Sequence, residues 1–393
     1  MKVLVLSHMY PSTFSEVSGI FVHEQVKALV EKGVEVRVIS PVPWTPFPIN
    51  HLNSKWRAYS QIPLRSNLDG IRVYYPRYLT FPRALFFASS GERMYRGIRK
   101  LVEEMYQDFP FDLIHAHTAL PDGYASMLLI LRYHKPLVVT IHGQDFQPPV
   151  STSEACAQAI QRVSSHASKI IVVSNKLKLL AQQTFQNAKE IVVIPNGISL
   201  EDLALGGLRA TNKGEVTILS VSGLTRAKGI DLNLQALARL RMKYKNLRYV
   251  IIGDGPERTR LVRLARSLGI LDQLEFHGFL PHKEALRYMA QCDIFSLPSW
   301  DEGFGIAYLE AMANGKPVIG CQGEGIEDFV EHKRTGWLVK PKDVDSLVEA
   351  LNYLLSNPEE AKAMGERARK VALEYTWERN AERTIEVYKK VLR

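Results

Sequence analysis

Residues 299–320 read SWDEGFGIAYLEAMANGKPVIG, and this stretch is the most informative part of the chain. An apolar run of strand type ends at Pro298, a glycine-rich turn follows, and a helical period begins near Gly305. The helix leads into a second apolar run at residues 317–321. A strand, a crossover helix and a further strand in this order predict parallel strands in an α/β sheet.

The same alternation of strand and helix continues through both halves of the chain. Strands are predicted at residues 3–7, 34–40, 113–117, 137–142, 170–174 and 191–195, and again at 216–221, 248–252, 275–278, 294–298 and 317–321. A glycine-containing stretch at 196–214 separates the two groups. We therefore predict two doubly wound, Rossmann-like α/β domains at residues 1–205 and 206–375. They face each other across a cleft, where ligands lie at the carboxyl ends of the strands.

The composition fits a globular protein. Of the 393 residues, 46% are hydrophobic and 23% are charged, which is enough apolar material for two packed cores. No apolar stretch reaches the roughly 18 residues of a membrane span, and the N-terminus lacks a signal-peptide pattern. Cys156, Cys292 and Cys321 are too scattered for a disulfide framework or a metal cluster. We expect a cytoplasmic protein, with peripheral attachment to the inner face of the membrane as one option.

The net charge of +9 favours a polyanionic partner or surface. Basic and aromatic residues are mixed between positions 41 and 105: Lys55, Arg57, Arg65, Arg72, Arg77, Arg83, Arg93, Arg96, Arg99 and Lys100 with Trp44, Trp56, Tyr59, Tyr74, Tyr75, Tyr78, Phe81, Phe86 and Phe87. Two interpretations stay open, a surface that meets acidic lipid headgroups and a solvated basic face over an aromatic core. No nucleic-acid-binding motif accompanies the charge, so nucleic acid is not an expected partner.

Two glutamates in the opening stretch are the best candidates for chemistry. Glu302 stands on the turn before the helix and Glu310 stands within it. Successive helical residues rotate by about 100°, so a spacing of eight returns close to the same face, two turns along. The glycines allow a phosphate to approach the backbone, and the free amides of the first helical turn point toward it.

At these residues the chain resembles a known family. Glu302 and Glu310 are similar to the E-x7-E signature of the retaining glycosyltransferases of family four, which have the GT-B fold. The segments GLTRAKG at 223–229, GDGP at 253–256 and FHGFL at 276–280 agree with that family, as do SGIFV at 18–22, DLIHAH at 112–117 and HGQD at 142–145. The resemblance spans essentially the whole chain. It implies that the final helix, at 376–393, crosses back onto the first domain.

The resemblance also implies roles for single residues. Glu302 would orient the sugar, Glu310 would hold the ribose, and Arg226 and Lys228 would neutralise the donor diphosphate. The other implied donor-binding residues are Gly19, Gly223, Gly253, Phe279, Leu280, Gly303, Phe304, Gly305 and Ile306. His117 would lie beside the reacting sugar and diphosphate, and His142 and Asp145 would shape the acceptor side. His115, two residues earlier on the strand of His117, is expected to be structural.

Two departures from the family pattern affect the phosphate contacts. Ser18-Gly19 stands where many members have two glycines, so one glycine remains to let an amide reach the phosphate. Leu224 stands where many members have an arginine. The cationic role therefore falls to Arg226 and Lys228.

The sequence thus predicts transfer of a hexose from a UDP- or GDP-linked sugar to a glycan or lipid-linked acceptor. No cofactor is expected and no metal is required, because no metal-ligand grouping is visible. The alternative is a non-catalytic protein of the same fold that binds nucleotide sugars or acts as a scaffold. A nicotinamide-dependent oxidoreductase is disfavoured, because the first strand is followed by SHMYP and not by a G-x-G-x-x-G fingerprint.

Overall fold

The structure is a computed structural model that describes residues 1–44, 46–52, 54–81, 84–148, 150–185, 190–203 and 214–393. The chain divides into unit 1, which is Met1–Gly197 with Trp377–Arg393, and unit 2, which is Ile198–Thr376. The predicted boundary between residues 205 and 206 and the basic residue Arg83 lie outside the described residues.

Unit 1 is built mainly from the first half of the chain. Its described strands are β1 (Lys2–Leu6), β2 (Glu35–Ile39), β3 (Val42–Trp44), β4 (Arg65–Leu68), β5 (Ile71–Tyr74), β6 (Arg77–Leu79), β7 (Leu113–His117), β8 (Leu137–Ile141), β9 (Lys169–Val172) and β10 (Ile191–Val193). Its described helices up to this point are α1 (Ile20–Glu31), α2 (Ile49–Leu52), α3 (Ser54–Gln61), α4 (Ser90–Asp108), α5 (Tyr124–Tyr133), α6 (Glu154–His166) and α7 (Asn175–Thr184), with an irregular turn at Ala119–Gly123.

Unit 2 repeats the alternation of strand and helix. Its described strands are β11 (Val216–Val221), β12 (Leu247–Ile252), β13 (Leu274–Gly278), β14 (Ile294–Ser296), β15 (Val318–Cys321) and β16 (Trp337–Val339). Its described helices are α8 (Leu200–Leu203), α9 (Ile230–Leu240), α10 (Arg258–Ser267), α11 (His282–Gln291), α12 (Ile306–Ala313), α13 (Val344–Ser356) and α14 (Pro358–Ala372), with short helical turns at Arg226–Lys228 and Gly325–Asp328. The chain then returns to unit 1 with α15 (Trp377–Val391).

The sheet of unit 1 has, in the described residues, the strand order β10-β9-β8-β7-β1-β2-β5-β4. All neighbours pair in parallel except β4 and β5. The first strand, β1, lies between β2 and β7, so the chain runs outward from β1 in both directions. Connections diverge at such a point and leave a crevice at the carboxyl ends of the strands.

The sheet of unit 2 is parallel throughout its described strands, in the order β13-β12-β11-β14-β15-β16. Counted within the unit this is 3-2-1-4-5-6, the order of doubly wound nucleotide-binding sheets. The direction of winding reverses between β11 and β14. Any ligand of this sheet is therefore expected outside the carboxyl ends of these two strands.

The last helix packs against α1 inside unit 1. Its buried residues recur at helical spacing: Trp377, Asn380, Ala381, Thr384, Val387 and Tyr388. Gln25 Nε2 donates to Asn380 Oδ1 at 2.6 Å, and Lys32 Nζ donates to Glu378 and Glu382 at 2.6 and 2.7 Å. Apolar burial thus holds α15, while the polar pairs set its register against α1.

The structure has strands that the sequence analysis did not predict. The strands β3 to β6 lie in the basic and aromatic stretch, and β16 follows β15 near the end of unit 2. The predicted strands elsewhere are present with ends shifted by at most two residues. The predicted fold class, α/β with two doubly wound sheets, is confirmed.

Candidate active site

The reversal point of the unit 2 sheet carries an ion pair. Lys228 lies on the short turn after β11, and Glu302 lies on the turn after β14. Lys228 Nζ donates to Glu302 Oε2 at 2.7 Å, and the two side chains are 24% and 15% exposed. The structure thus brings together two predicted site residues that are 74 positions apart, with enough access for a ligand to meet both.

The two turns are also joined through their backbones. Trp300 N–H donates to the carbonyl oxygen of Ala227 at 2.9 Å, which ties the turn of Glu302 to the turn of Lys228. Leu224, on the same connection, is fully buried and packs in the core. Arg226, by contrast, is exposed. The turn therefore presents Lys228 to Glu302 and leaves Arg226 in solvent.

The turn that carries Glu302 leads directly into α12. Gly305 precedes the helix with φ of 95°, and a Cβ there would lie 2.7 Å from the ring of Tyr308 and 2.8 Å from Ile326. Only glycine fits this turn without strain. Phe304 is buried, whereas Gly303 and Ile306 are partly exposed. The N-terminal end of α12 thus lies at the carboxyl edge of the sheet, and the amides of a first helical turn favour an anion there.

Glu310, four residues into α12, is held by a histidine that the sequence did not single out. His282 Nε2 donates to Glu310 Oε1 at 2.6 Å, and the Glu310 side chain is only 13% exposed. His282 is the first residue of α11, which follows the predicted donor-binding residues Phe279 and Leu280. This hydrogen bond fixes the orientation of the Glu310 carboxylate through its Oε1 atom. No signal in the sequence pairs these residues, because they lie 28 positions apart.

The other predicted donor-binding residues lie at the same carboxyl edge of the unit 2 sheet. Gly223 follows β11, Gly253 follows β12, and Phe279 and Leu280 follow β13. Phe279 is 61% exposed, so its ring is available for stacking. Gly19 belongs to unit 1, where it precedes α1 with φ of 66°.

Unit 1 carries its predicted histidines at the carboxyl edge of its own sheet. His117 ends β7, and His142 follows β8. His117 Nδ1 and His142 Nε2 are 3.0 Å apart, and their rings are nearly parallel at 11°. His117 is fully buried, and its Nε2 atom has no hydrogen-bond partner among the described residues, nor does His142 Nδ1.

His115 lies next to this pair with both ring nitrogens occupied. Its Nδ1 is 2.6 Å from the hydroxyl of Tyr388 on α15, and its Nε2 is 2.7 Å from Thr140 Oγ1. Such a saturated histidine fits the structural role predicted for it. Among the described residues, His117 and His142 each keep one ring nitrogen without a hydrogen-bond partner, in contrast to His115.

Burial determines the protonation of the histidine row, which is defined as His115, His117 and His142. Burial lowers the pKa of His115 and of His142 to about 3, helped by a neighbouring histidine in each case. Burial, with the adjacent His115 and His142, places the pKa of His117 well below its ordinary value of 6.5. The three rings are therefore neutral at physiological pH, and each carries one N–H and one acceptor nitrogen.

Asp145, predicted to shape the acceptor side, accepts hydrogen bonds from backbone N–H groups in this structure. Its Oδ1 accepts from the N–H groups of Ala119 and Leu120 at 2.8 and 3.2 Å. Its Oδ2 is buried with no partner in the described ranges. Burial raises the pKa of Asp145 to about 6. Asp145 thus fixes the irregular turn that follows His117.

That turn begins with a strained residue. Thr118 has φ of 108° and ψ of 152°, a region almost restricted to glycine. Its hydroxyl donates to Leu120 O at 2.9 Å, and its N–H donates to Thr140 O at 2.8 Å. The neighbouring Asp122 accepts from His8 Nδ1 at 2.8 Å, across the reversal point between β1 and β7. Strain that is held by several bonds is typical of functional sites.

Among the described residues, no helix is both long and apolar enough to cross a membrane. Within the same ranges, no group of three or more His, Cys, Asp or Glu side chains is arranged to hold a metal ion.

The two doubly wound sheets have the architecture of the GT-B fold, and comparisons with known proteins identify the family. The family model described as Glycosyltransferase Family 4 matches residues 18–202, and the model described as Glycosyl transferases group 1 matches residues 209–371. The chain belongs to these glycosyltransferases and is an enzyme that transfers hexosyl groups.

Individual relatives cover nearly the whole chain. The putative teichuronic acid biosynthesis glycosyltransferase TuaC of Bacillus subtilis is 29% identical over 361 residues, which are 89% of this chain and 88% of TuaC. The sucrose-phosphate synthase of Thermosynechococcus elongatus superposes with a TM-score of 0.82 at 20% identity, covering 100% and 99% of the two chains. HepE of Anabaena, in a complex with UDP and glucose, superposes with a TM-score of 0.74 at 19% identity, covering 99% and 100%.

Proposed function

We propose that this enzyme is a retaining glycosyltransferase that moves a hexose from a UDP- or GDP-linked donor to a glycan or lipid-linked acceptor. The observation that carries the proposal is the Lys228–Glu302 ion pair at the reversal point of the unit 2 sheet. The complex of HepE with UDP and glucose favours a UDP-linked donor. The name of TuaC favours an acceptor in cell-envelope polysaccharide synthesis.

The proposed reaction needs positive charge beside the leaving diphosphate. Cleavage of the bond between the anomeric carbon and the diphosphate leaves negative charge on the leaving group and positive charge on the sugar. Lys228 and the free amides at the start of α12 meet the leaving diphosphate, while Glu302 lies on the side of the sugar. Because Lys228 already supplies a fixed cation, we propose that no metal is required.

The acceptor hydroxyl attacks the same face of the sugar from which the diphosphate departs. Its oxygen forms a bond to the anomeric carbon as the bond to the diphosphate breaks, and its proton passes to a diphosphate oxygen. This step needs no protein nucleophile. His117 is neutral and its Nε2 atom has no partner in the part of the chain that the structure describes, so it would contribute a hydrogen bond to the substrate and not a charge.

Calorimetric titration with UDP, GDP and ADP in the presence of a chelator tests the proposal. We expect one diphosphate to bind, and Lys228→Ala to weaken it by about a hundredfold or more, as when a buried charge loses its partner. Lys283→Ala, an exposed lysine on α11, is the matched control and should bind as the unmodified enzyme does.

Two other results would redirect the proposal. If none of the three diphosphates binds, the donor assignment fails. If one binds but the matching nucleotide sugar is neither hydrolysed nor transferred over a broad acceptor panel, the protein is the non-catalytic alternative.

We also propose that unit 1 meets an acidic membrane surface through an aromatic patch, defined as Trp44, Leu79, Phe81 and Phe86. These side chains are 49%, 42%, 40% and 69% exposed. Trp44 and Leu79 are partners across β3 and β6, and the rings of Phe81 and Phe86 are 5.4 Å apart. Arg93 lies over the Phe81 ring at 5.0 Å, which adds a cation at the patch. Rings and cations together suit an interface with acidic lipid.

Flotation with vesicles tests this patch. We expect binding to vesicles rich in acidic lipid at low salt, reduced by at least tenfold in Trp44→Ala/Phe86→Ala. Leu179→Ala, which removes an equally exposed apolar side chain on α7, is the control. Absence of binding to acidic vesicles at low salt would leave the basic stretch as a solvated face.

A further inference from the structure

The loop after β15 lies against the peptide of Glu302. Glu324 Oε2 accepts from Glu302 N–H at 2.6 Å, and Gly325 N–H donates to Glu302 C=O at 3.1 Å. Both polar groups of one backbone residue are thus bonded to consecutive residues of another loop. This arrangement fixes the orientation of the Glu302 backbone, from which its side chain extends.

The contact is too close for ordinary side chains. A Cβ on Gly325 would overlap the carbonyl oxygen of Gly303, and it would lie 2.9 Å from Phe304 Cα. The next residue, Ile326, is fully buried and packs on Gly305. The segment 324–326 therefore holds residues 302–305 by two hydrogen bonds and by direct packing.

A carboxylate is an unusual choice for this contact. Glu324 is only 8% exposed, and burial of a charge is costly unless strong hydrogen bonds compensate for it. A backbone N–H that bonds to a carboxylate makes one of the stronger hydrogen bonds in proteins. Glu302 takes part in this contact through its backbone, and its own carboxylate forms the ion pair with Lys228. The two glutamates thus perform different tasks, one on the backbone and one toward the ligand.

We propose that Glu324 is a positioning residue for transfer, which fixes the Glu302 peptide so that the Glu302 carboxylate is aimed before the donor binds. The assignment rests on the proposed role of Glu302. It predicts an effect on turnover and little effect on nucleotide binding, because Glu324 bonds to the Glu302 peptide, whereas the proposed diphosphate contacts are Lys228 and the start of α12. Displacement of a reacting group by about 1 Å costs on the order of a hundredfold in rate.

The test compares three variants. Glu324→Ala removes the acceptor, Glu324→Gln keeps an acceptor oxygen, and Glu327→Ala removes an exposed carboxylate from the same loop. Hydrolysis of the donor without acceptor, measured as released nucleoside diphosphate, gives kcat and KM. We expect Glu324→Ala to lose about ten- to a hundredfold in kcat with KM changed by less than about threefold. Glu324→Gln should recover most of the loss, and Glu327→Ala should match the unmodified enzyme.

Hydrogen exchange at the Glu302 amide gives a second readout that needs no substrate. The amide should exchange slowly in the unmodified protein, in Glu324→Gln and in Glu327→Ala, and at least tenfold faster in Glu324→Ala. A wild-type kcat in Glu324→Ala, equal losses in the Ala and Gln variants, or an unchanged Glu302 exchange rate would each overturn the proposal. Failure of the proposed function would show differently, as absence of diphosphate binding with the exchange difference intact.

Discussion

The two sheets have similar reversal points but very different groups at their edges. In unit 2 the edge carries Lys228 and Glu302, charged and partly open to solvent. In unit 1 it carries His117, which is buried, and His142, which is partly exposed, and both rings are neutral. A fixed charge costs least where solvent or a ligand of opposite charge can reach it, whereas a buried site favours neutral hydrogen-bonding groups. The difference is consistent with the proposed function, in which unit 2 binds the charged diphosphate and unit 1 supplies neutral hydrogen-bonding groups.

The largest effect is expected at the charged edge. Glu302→Gln should lower turnover by about a thousandfold, because the carboxylate acts where positive charge develops, while diphosphate affinity stays within a few-fold. Single-turnover assays and calorimetry separate the two quantities. Asp301→Asn, the same change at the exposed neighbouring position, is the control. Normal turnover in Glu302→Gln would remove this residue from the site.

At the neutral edge of unit 1 the expected loss of kcat is smaller, and it depends on both His117 and His142. His117→Phe should lower kcat by about a hundredfold and His142→Phe by about tenfold, because the second ring acts through the first. The double variant should be no worse than His117→Phe alone, since the coupled contact is then already lost. His142→Phe keeps a ring beside Phe21, 4.6 Å from the His142 ring. Multiplicative losses would mean that the two histidines act independently.

The two cations after β11 should differ. Arg226 is exposed, so Arg226→Ala should weaken diphosphate binding by only about two- to fivefold, the usual contribution of a surface charge. Calorimetry beside Lys228→Ala measures the contrast. Equal losses in the two variants would show that Arg226 moves onto the ligand when it binds.

The smallest effect on activity is expected at Asp145. Asn can still accept the two backbone N–H groups, so Asp145→Asn should keep kcat within about twofold. Because burial raises the pKa of Asp145 to about 6 from 3.8, the folded state holds a proton that the unfolded state releases in this range. The stability of the unmodified enzyme relative to Asp145→Asn should therefore fall as pH rises from 4 to 7, by on the order of 2 kcal/mol. Urea unfolding at both pH values measures it. An altered KM for acceptor would instead support the predicted role on the acceptor side.

Much of the fold could be predicted because buried parallel strands are continuous apolar runs. Residues 113–117 and 216–221 coincide with β7 and β11. The strands β4 and β5 were missed because their pattern is different: Ile71 and Val73 are buried while Arg72 between them is exposed. A signal was present in Asp69-Gly70, a frequent two-residue hairpin turn, and both residues have positive φ, 49° and 82°.

The site was predictable where its residues belong to one local motif and not where two loops meet. Glu302 and Glu310 share a turn and a helix, so their spacing carried information. The hydrogen-bond partners of these glutamates lie outside this motif. Glu324 is 22 positions from Glu302, and His282 is 28 positions from Glu310. The His117–His142 contact likewise depends on the pairing of β7 with β8. Such contacts are set by the order of strands in the sheet, which the sequence does not display.

The return of the chain to unit 1 has a consequence for synthesis on the ribosome. Residues 198–376 are translated before α15, so unit 1 still lacks this helix when the synthesis of unit 2 is over. Until Tyr388 has emerged, His115 has no tyrosine partner and Gln25 has no Asn380. Unit 1, whose synthesis begins before that of unit 2, is therefore completed after it. His115 acquires its hydrogen bond to Tyr388 only when α15 has been made.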